Sequence, residues 1–400
     1  MTIRYMGTKR HMVSQVRDAL TSLRPEGRVV DLFSGMGSVA EALSADDLSV
    51  VTNDALSFTA CISRAKFTGT ARAESASSLA ASIEAHYQSA KDALQQAFVE
   101  QVRSERRALD GTREDVVLYM TSAMHVAKSA SARDEAAAAK SSSGVAHYRL
   151  ASLYFSAGYL SLEQAIELDA LRSAIDAEVG DASRDWAIAA WIAAASVLLN
   201  APGHTAQHLW PNTSTAHQRI VRTWRRSIWD EFELALERIE LVGTPAWRAR
   251  NEARVSDALD LVGSDELKEV GVVYADPPYT KDQYSRFYHL YETLYRYDYP
   301  DAVGAGRVRS DRFSTGFSLK SQVRASFHDL CRSVARMKAP LVVSYPSNGL
   351  LQQSGTSPDA IARQYFKMVT IDSIEASHST MGASPGSSKK VATENLYVCT

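Results

Sequence analysis

The chain has 400 residues, of which 45% are hydrophobic and 22% are charged. This length and composition provide enough apolar surface for two domains, or for one large domain with an insertion, and they exclude a disordered or fibrous protein. The formal net charge is −2, so no overall field attracts nucleic acid, and any polyanion must bind a local basic patch.

The cysteine pattern excludes two further classes. Cys61, Cys331 and Cys399 are scattered and form no Cys-x-x-Cys pair, which argues against a disulfide framework and against a structural zinc site. We therefore expect a reducing, cytoplasmic setting. The basic N-terminus is not followed by the apolar stretch of a signal peptide. The longest apolar run, residues 187–199, is too short to span a bilayer and predicts a buried helix.

The first elements along the chain predict an α/β domain. Residues 27–33 form an apolar run that predicts a buried strand, and a glycine-bearing turn then leads into a predicted helix at residues 39–43. A second strand is predicted at residues 48–52, directly before Asn53 and Asp54. A strand, glycine turn, helix, strand and acid in this order are typical of the start of a doubly wound sheet.

A long stretch rich in Ala, Ser, Glu and Arg follows, from about residue 72 to residue 240, and no convincing alternating pattern of a strand interrupts it. Strand signals return at residues 253–255, 270–275, 341–345 and 395–399. The sequence thus predicts a sheet split by a mainly helical insertion. The predicted segments are the first part of the α/β domain at 1–72, the insertion at 73–245 and the second part at 246–400.

The turn at residues 31–38, Asp-Leu-Phe-Ser-Gly-Met-Gly-Ser, carries the first functional signal. Glycines directly after a buried strand permit a tight turn and a close approach to a cofactor, while the following helix presents backbone N–H groups. The third glycine of a dinucleotide fingerprint and the Lys-Ser/Thr pair of a P-loop are both missing. Asp31 would repel a pyrophosphate but attract an ammonium group. The turn favours a cofactor with a positive amino-acid end, such as S-adenosylmethionine; a packing turn is the alternative.

Asp54 adds to this signal because doubly wound folds often place a carboxylate at the end of the second strand, on ribose hydroxyls. An N-cap role is the alternative for Asp54 alone, since Asp is favoured there. The glycine turn and an acid about twenty residues later are more informative together than either is separately.

The strongest signal is the tetrad Asp276-Pro277-Pro278-Tyr279 at the end of an apolar strand. Two consecutive prolines restrict the backbone and remove two donors, which leaves carbonyl groups to accept hydrogen bonds. The exocyclic amine of a base offers two donors beside a flat ring. Asp276 and the Pro277 carbonyl could hold that amine while Tyr279 stacks on the ring. The alternative is that the prolines only end the strand.

These motifs resemble those of the S-adenosylmethionine-dependent amino-methyltransferases of the Dam-like DNA adenine type. The family's two defining motifs correspond to the FxGxG turn at residues 33–37 and to the tetrad, and Tyr5-Met6-Gly7-Thr8-Lys9 is similar to a motif that precedes the first strand. The resemblance, together with the residue-based reasoning above, assigns cofactor binding to the following residues: Tyr5, Gly7, Lys9, Asp31, Phe33, Ser34, Gly35, Gly37, Asp54 and, by a softer match at Ser256-Asp257, Asp257.

The order of the motifs is similar to that of the alpha group of this family. The resemblance therefore implies a class I methyltransferase fold, with a Rossmann-like doubly wound sheet, and an insertion that acts as the target recognition domain. The catalytic residues would be Asp276, Pro277, Pro278 and Tyr279. A second softer match, Ser344-Tyr345-Pro346, corresponds to a strand end that lines the site.

The resemblance and the residues imply the same chemistry. Adenine N6 is a poor nucleophile because its lone pair is delocalised into the ring, and hydrogen bonds to Asp276 and the Pro277 carbonyl would push this nitrogen toward sp³ character. The base must first leave the duplex stack. This chemistry requires no metal, covalent nucleophile or separate general base.

An aromatic segment follows the tetrad, and it is rich in charge as well. A helical stripe of Tyr and Phe over residues 284–295 is typical of core, whereas the residues nearest the tetrad are candidate substrate contacts, namely Lys281, Tyr284, Ser285 and Arg286.

Residues 281–338 contain eleven Lys and Arg against six Asp and Glu, a local excess of +5. We expect DNA phosphates at the centre of this stretch, on Arg307 and Arg309.

The insertion offers a second set of candidates. Arg219, Arg222, Arg225 and Arg226 surround Trp224 in a basic-aromatic helix that could lie along phosphates, and surface arginines over packed tryptophans are an equal alternative. The polar loop at residues 201–212 could read base edges. Its histidines fit no standard metal site.

We therefore expect a site-specific DNA adenine-N6 methyltransferase that acts on double-stranded DNA in restriction–modification or phage defence, with a restriction or defence protein as an optional partner and no membrane contact. The alternatives are a cytosine-N4 DNA methyltransferase, an RNA adenine methyltransferase and a catalytically silent DNA-binding homologue. The DPPY tetrad and Phe33 favour adenine by resemblance. Intact Asp276 and Tyr279 argue against the silent homologue.

Overall fold

The computed structural model describes Ile3 and residues 12–69, 71–127, 129–378 and 390–400. Tyr5, Gly7 and Lys9, which we expected to contact the cofactor, lie outside the described residues. The strands within these ranges are β1 (Arg28–Asp31), β2 (Val50–Asp54), β3 (Glu252–Val255), β4 (Val270–Ala275), β5 (Ala302–Val303), β6 (Val308–Arg309), β7 (Leu341–Pro346), β8 (Val369–His378) and β9 (Lys390–Cys399).

The helices fall into two groups along the chain. Those before β3 are α1 (Val13–Ser22), α2 (Ser38–Leu43), α3 (Ser57–Phe67), α4 (Ala76–Ala97), α5 (Val99–Asp110), α6 (Arg113–Ala127), α7 (Ala130–Ser141), α8 (Leu150–Tyr154), α9 (Leu162–Glu178), α10 (Asp181–Leu198), α11 (Ser214–Trp224), α12 (Ile228–Arg238) and α13 (Pro245–Arg248). Those after β3 are α14 (Ala258–Gly263), α15 (Tyr284–Phe287), α16 (His289–Arg296), α17 (Val323–Arg336), α18 (Leu350–Gln353) and α19 (Pro358–Ala362).

The chain forms two compact units. The α/β unit takes its described residues from the segment that ends at Ala71, from Leu241–Arg286 and from Phe313–Thr400. The helical unit contains Arg72–Glu240 and Phe287–Arg312. The chain therefore leaves and re-enters the α/β unit twice. The second excursion contains the aromatic segment that we had placed in the second part of the α/β domain.

The α/β unit is built on a seven-stranded sheet with the order β3-β2-β1-β4-β7-β9-β8. The five strands from β3 to β7 in that order are parallel, whereas β9 runs antiparallel to both of its neighbours. Near-continuous apolar runs such as those of β1, β4 and β7 are typical of parallel strands that are covered on both faces. The prediction of an α/β fold with a mostly parallel sheet is confirmed.

Helices cover both faces of this sheet. On one face, α14 and α17 pack against side chains such as Val30, Val273 and Val343. On the other face, α1, α2 and Trp247 pack against Val29, Val272 and their neighbours. Side chains alternate between the two faces along each strand, so both faces of β1 and β4 contribute to a core. This double burial holds the ends of these strands in fixed positions.

The helical unit contains the predicted buried helix, α10, whose Trp191 is fully buried and donates its indole N–H to the Leu168 carbonyl at 3.0 Å. The second excursion packs into the same unit. Tyr297 donates its hydroxyl to Asp169 at 2.5 Å, and Tyr154 donates to the Pro300 carbonyl at 2.8 Å. Within the aromatic stripe, Phe287, Tyr288 and Tyr291 are buried, so most of the stripe is core, as the sequence pattern favoured.

One hydrogen bond in each unit lies where the chain passes between the α/β unit and the long excursion, residues 72–240. In the helical unit, the Arg72 guanidinium donates to the Ile239 carbonyl at 2.7 Å. In the α/β unit, the Val242 N–H donates to the Lys66 carbonyl at 2.9 Å. Within the described part of the chain, no helix has the length and apolar character needed to cross a membrane.

Candidate active site

Three carboxylates lie at the carboxyl edge of the parallel sheet. Asp31 is the last residue of β1, Asp54 is the last residue of β2, and Asp276 directly follows β4. From β1 the chain continues outward through β2 to β3, whereas β4 lies on the other side of β1. The strand order therefore reverses between β1 and β4, and doubly wound folds bind their ligands at such a switch point.

Asp31 is the most deeply buried of the three acids, at 1% exposure. Burial raises its pKa to about 8, although the Phe33 N–H, 3.3 Å from Oδ1, acts in the opposite direction. The charges of Asp276 and Asp54 raise this pKa further. A positive group at this place would stabilise the ionised form of Asp31, and a negative group would destabilise it.

The glycine turn is tied to the end of β2. The Gly35 N–H donates to Asp54 Oδ2 at 3.0 Å, and the Ser34 hydroxyl donates to the Asn53 carbonyl at 3.0 Å. Gly37 has φ +75°, and a Cβ atom there would lie 2.2 Å from Cε2 of Phe67. The turn therefore requires glycine at position 37 for both backbone conformation and space.

Asp54 and Asp257 hold the loops around the turn. Asp54 Oδ1 accepts from the Leu56 N–H at 3.0 Å, and Leu56 itself is the N-cap of α3, so the N-cap alternative for Asp54 is wrong. Asp257 is the N-cap of α14 and accepts from the Leu259 N–H at 2.7 Å. Its contact with a cofactor adenine stays a prediction.

Asn53 is a structural part of the site that the sequence analysis did not single out. This residue is 1% exposed, and its side-chain amide donates to the carbonyls of Leu32 and Ser256, each at 3.1 Å. The amide thereby joins the loops that follow β1 and β3. A polar residue at the end of an apolar strand, directly before Asp54, was the available sequence signal.

The tetrad continues β4 into the site. Asp276 is half-buried, and its Oδ1 accepts from the Ser344 hydroxyl at 2.9 Å. Tyr279 packs edge-on against Tyr345, with ring centroids 6.4 Å apart, and its carbonyl accepts from the Leu350 N–H at 2.9 Å. The tetrad backbone is thereby fixed against β7 and the residues after it.

The four candidate contacts nearest the tetrad differ in exposure. Lys281 and Arg286 are exposed, and Tyr284 is half-buried. Ser285 is buried, and its hydroxyl donates to the Phe313 carbonyl. Ser285 thus joins its own segment to the chain that returns from the helical unit, and its contact with a substrate stays a prediction.

Arg307 and Arg309 lie in the helical unit, and neither is a freely exposed cation. Arg309 is 1% exposed and donates to both oxygens of Asp298 and of Asp311, at distances of 2.8 to 3.1 Å. In this structure the two internal carboxylates occupy the guanidinium, and the contact of Arg309 with phosphate stays a prediction. Arg307 is half-buried with its guanidinium 4.7 Å from the Tyr154 ring centroid, and burial lowers its pKa.

The basic-aromatic helix α11 has surface arginines over a packed tryptophan, and its contact with phosphates stays a prediction. Trp224 is buried, whereas Arg219 and Arg222 are exposed. Arg225 and Arg226 follow the helix and pair with Asp110 and Glu231, respectively. Among the residues that the structure describes, no cluster of His, Cys, Asp and Glu could hold a metal ion.

Comparison with known proteins identifies the family. The sequence model of the D12 class N6 adenine-specific DNA methyltransferases matches residues 5–148 and 236–342, which together make up more than half of the chain. The matched regions contain the glycine turn, the three carboxylates and the tetrad. The expected resemblance to adenine-specific DNA methyltransferases is confirmed at the level of the family, and the finer alpha-group assignment stays a prediction.

Two curated relatives match short parts of the chain. The modification methylase LlaI of Lactococcus lactis subsp. lactis is 43% identical over 63 residues, 16% of this chain and 10% of the relative. The type II methyltransferase M.FokI of Planomicrobium okeanokoites is 38% identical over 81 residues, 20% of this chain and 12% of the relative. The matched stretches thus span about a tenth of the length of each relative. On the evidence of the family match, the chain belongs to the D12 class N6 adenine-specific DNA methyltransferase family.

Proposed function

We propose that this protein transfers a methyl group from S-adenosylmethionine to the N6 amine of adenine in a specific sequence of double-stranded DNA. The observation that carries the proposal is the meeting of Asp31, Asp54 and the Asp276 tetrad at the switch point of the sheet. An acid that can bind a cation, Asp31, and a tetrad that can bind an amine lie at the same edge of the sheet. They suit a sulfonium cofactor and an adenine amine.

The residues around the glycine turn fit the proposed cofactor. Asp31 is a buried acid that a positive charge would stabilise, and Asp54 fixes the turn through the Gly35 N–H. The Phe67 ring lies directly against Gly37, so that this position of the turn has no room for a side chain. We assign the amino-acid end of the cofactor to Asp31 and the glycine turn, and its ribose hydroxyls to Asp54. When bound, the cofactor supplies an electrophilic methyl group on a positively charged sulfur.

The tetrad supports the transfer by binding the amine. Asp276 and the Pro277 carbonyl accept hydrogen bonds from the two N6 protons, and Tyr279 supports the ring face. With the cofactor bound, the N6–methyl bond would form as the methyl–sulfur bond breaks, and the nitrogen would then release its proton to solvent water. This proton is strongly acidic after transfer, so the reaction needs no separate general base. Positioning and electrostatic stabilisation supply the catalysis.

The DNA must deliver the adenine outside the duplex stack. We assign recognition of the duplex to the helical unit, whose exposed Arg219 and Arg222 can approach phosphates, and we keep Lys281 and Arg286 as contacts near the flipped nucleotide. The relatives' printed functions, a modification methylase and a type II methyltransferase, support a role in restriction–modification. A cognate nuclease is the partner that this role implies.

Transfer of isotope-labelled methyl groups tests the proposal. The purified chain is incubated with labelled S-adenosylmethionine and, separately, with duplex DNA, single-stranded DNA or RNA, and the nucleosides are then separated. We expect the label in N6-methyladenine from duplex DNA. Label in N4-methylcytosine, or in RNA alone, would assign the chain to one of the alternative activities, and bound cofactor without transfer to any acceptor would favour the silent homologue.

A further inference from the structure

Two buried hydroxyl groups connect β4 to the carboxylate of the tetrad. Tyr274 and Ser344 are 1% and 0% exposed, their hydroxyl oxygens are 3.0 Å apart, and the Ser344 hydroxyl donates to Asp276 Oδ1 at 2.9 Å. A serine hydroxyl has only one proton to donate. Because Ser344 donates to Asp276, it must accept from Tyr274. The hydrogen bonds therefore run in one direction, from Tyr274 through Ser344 to Asp276.

The sheet brings these three groups together. β4 and β7 are neighbouring parallel strands in which Tyr274 pairs with Val342 and Ala275 pairs with Val343. Side chains alternate along a strand, so Tyr274 and Asp276 share one face, and Ser344 lies on the same face of β7 beside the strand end. The arrangement is thus fixed by strand register and does not depend on a mobile loop.

Asp276 shares the carboxyl edge of the sheet with other carboxylates, and its charge acts on Asp31 and on Tyr274. Asp31 lies on β1, Asp54 on β2, and the fully buried Glu394 on β9. Asp276, Asp31 and Glu394 all act on Tyr274, whose pKa is raised well above its usual value first by burial and then by these carboxylates, against the effect of Ser344. Tyr274 therefore stays a protonated donor. Like charges favour the protonated form of a carboxyl group, whereas a donated hydrogen bond favours the ionised form.

We propose that Tyr274 and Ser344 are positioning residues that keep Asp276 ionised and fix the rotation of its carboxylate for the adenine amine. A protonated or rotated Asp276 would lose the acceptor that the amine requires. This inference rests on the proposed function. Ser344 lies beyond residue 342, where the family match ends, so the match itself assigns no role to it.

We call the chain of hydrogen bonds from Tyr274 through Ser344 to Asp276 the relay. Four variants of the full chain test it: Ser344→Ala, Ser344→Thr, Tyr274→Phe and, as a matched control, Ser63→Ala. Ser63 is a buried serine of the α/β unit whose hydroxyl has no hydrogen-bond partner among the described residues. We expect Ser344→Ala to slow single-turnover methyl transfer to DNA on the order of 10- to 100-fold, since it removes a hydrogen bond to a charged group. Tyr274→Phe should slow transfer about three- to tenfold.

The relay also predicts effects that a purely structural role would not produce. The acidic limb of the pH–rate profile should move to higher pH in Ser344→Ala and return toward the wild-type position in Ser344→Thr, which keeps the hydroxyl. Affinity for S-adenosylmethionine should stay unchanged in Tyr274→Phe and in the control. Wild-type rates and pH profiles for both Ser344→Ala and Tyr274→Phe would overturn the proposal.

A spectroscopic titration tests the relay without methyl transfer. The carboxyl carbons of ¹³C-labelled aspartates are followed by NMR across pH, and Asp276→Asn identifies the signal of Asp276. Its titration midpoint should move to higher pH in Ser344→Ala and Tyr274→Phe and not in Ser63→Ala. An unchanged midpoint would contradict the relay even if the wild-type chain transferred no methyl group, so that a failed function and a failed relay are distinguished.

Discussion

Asp31 and Asp276 are carboxylates of one site, but they have different partners. Asp31 is almost fully buried at the end of β1, where burial keeps its pKa at about 8. Asp276 is half-buried and receives a hydrogen bond from Ser344. Ionisation of Asp31 is therefore favoured when a cation binds beside it. Asp276 is held as a hydrogen-bond acceptor by the hydroxyl group that a neighbouring strand provides.

Substitution of Asp31 tests this difference through pH. Asn resembles the protonated acid, so the ratio of the Kd of Asp31→Asn to that of the wild type should rise from pH 6 to about pH 8 and then level off. The comparison with Asn cancels the titration of the cofactor's own amino group, which has a similar pKa. Calorimetry in buffers of different ionisation enthalpy measures both Kd and proton release. A ratio independent of pH would contradict the assignment of Asp31 to the cationic end.

The same substitution should stabilise the cofactor-free protein. The pKa of Asp31 is raised in the folded state, so folding favours the protonated acid, and its contribution to stability falls as the pH rises from about 4 to about 8. The gain in Tm of Asp31→Asn over the wild type should therefore be small near pH 4 and largest at pH 8 and above. A lower Tm for the variant at pH 8 would show that the ionised acid stabilises the fold.

At the scale of elements, the glycine turn of β1–α2 has a matched control in the chain. Gly37 and Gly69 both have φ +75°, but an added Cβ meets the Phe67 ring only at position 37 and meets nothing within 4 Å at position 69. Gly69→Ala should cost about 1–2 kcal/mol from backbone strain. Gly37→Ala should cost about 2–5 kcal/mol, because overpacking adds to that strain.

Urea denaturation of the two variants measures these free energies of unfolding. Gly37→Ala should also weaken S-adenosylmethionine binding, whereas Gly69→Ala should leave the affinity unchanged. Equal losses of stability in the two variants would mean that Phe67 moves aside, and the close packing of the turn would then have no energetic effect.

Several elements were predictable from the sequence because local pattern specifies them. The strand predicted at residues 270–275 coincides with β4, and the glycine turn lies between β1 and α2 as expected. β8 was not predicted: it is an edge strand of mixed composition, whose Ile371 is exposed, so it lacks a clean apolar pattern. The aromatic stripe was predicted as one helix, but it is divided into α15 and α16 at Tyr288.

Side-chain partners were less predictable than elements. The acids and the tetrad could be found in the sequence because each of them directly follows or ends an apolar run that predicts a strand. Arg309 was predicted as a phosphate contact, and composition does not reveal that Asp298 and Asp311 surround its guanidinium. The hydrogen bond from Ser344 to Asp276 joins residues 68 positions apart, and only the pairing of β4 with β7 brings them together.

At the scale of the whole molecule, the net charge of −2 does not describe the surface that meets DNA. The local excess of basic residues after the tetrad is partly internal, since Arg309 is paired and Arg307 is half-buried. Exposed arginines of α11 in the helical unit remain as candidates for phosphate contacts. We therefore expect the binding of DNA to depend on the first excursion of the chain as well as on the segment after the tetrad.

Removal of the Arg219 and Arg222 side chains tests whether α11 contacts the DNA phosphates. The double variant Arg219→Ala/Arg222→Ala should bind duplex DNA more weakly and lower the slope of log K against log salt concentration by up to about 2, since each phosphate contact contributes about 0.9. Fluorescence anisotropy at several salt concentrations measures both quantities. Arg332→Ala/Arg336→Ala, which removes two exposed arginines from α17, is the control. Equal effects in the two double variants would place the phosphates elsewhere.

The central claim is that the Asp276 tetrad methylates adenine N6 at a specific DNA sequence. The most direct measurement is to express the chain in a bacterial host that lacks adenine methylation and to map modified bases in its genome by single-molecule sequencing. We expect N6-methyladenine at one recurrent sequence, and its complete loss in Asp276→Ala at equal protein level. Unmodified adenines with the wild-type chain, or modification that survives Asp276→Ala, would contradict the claim.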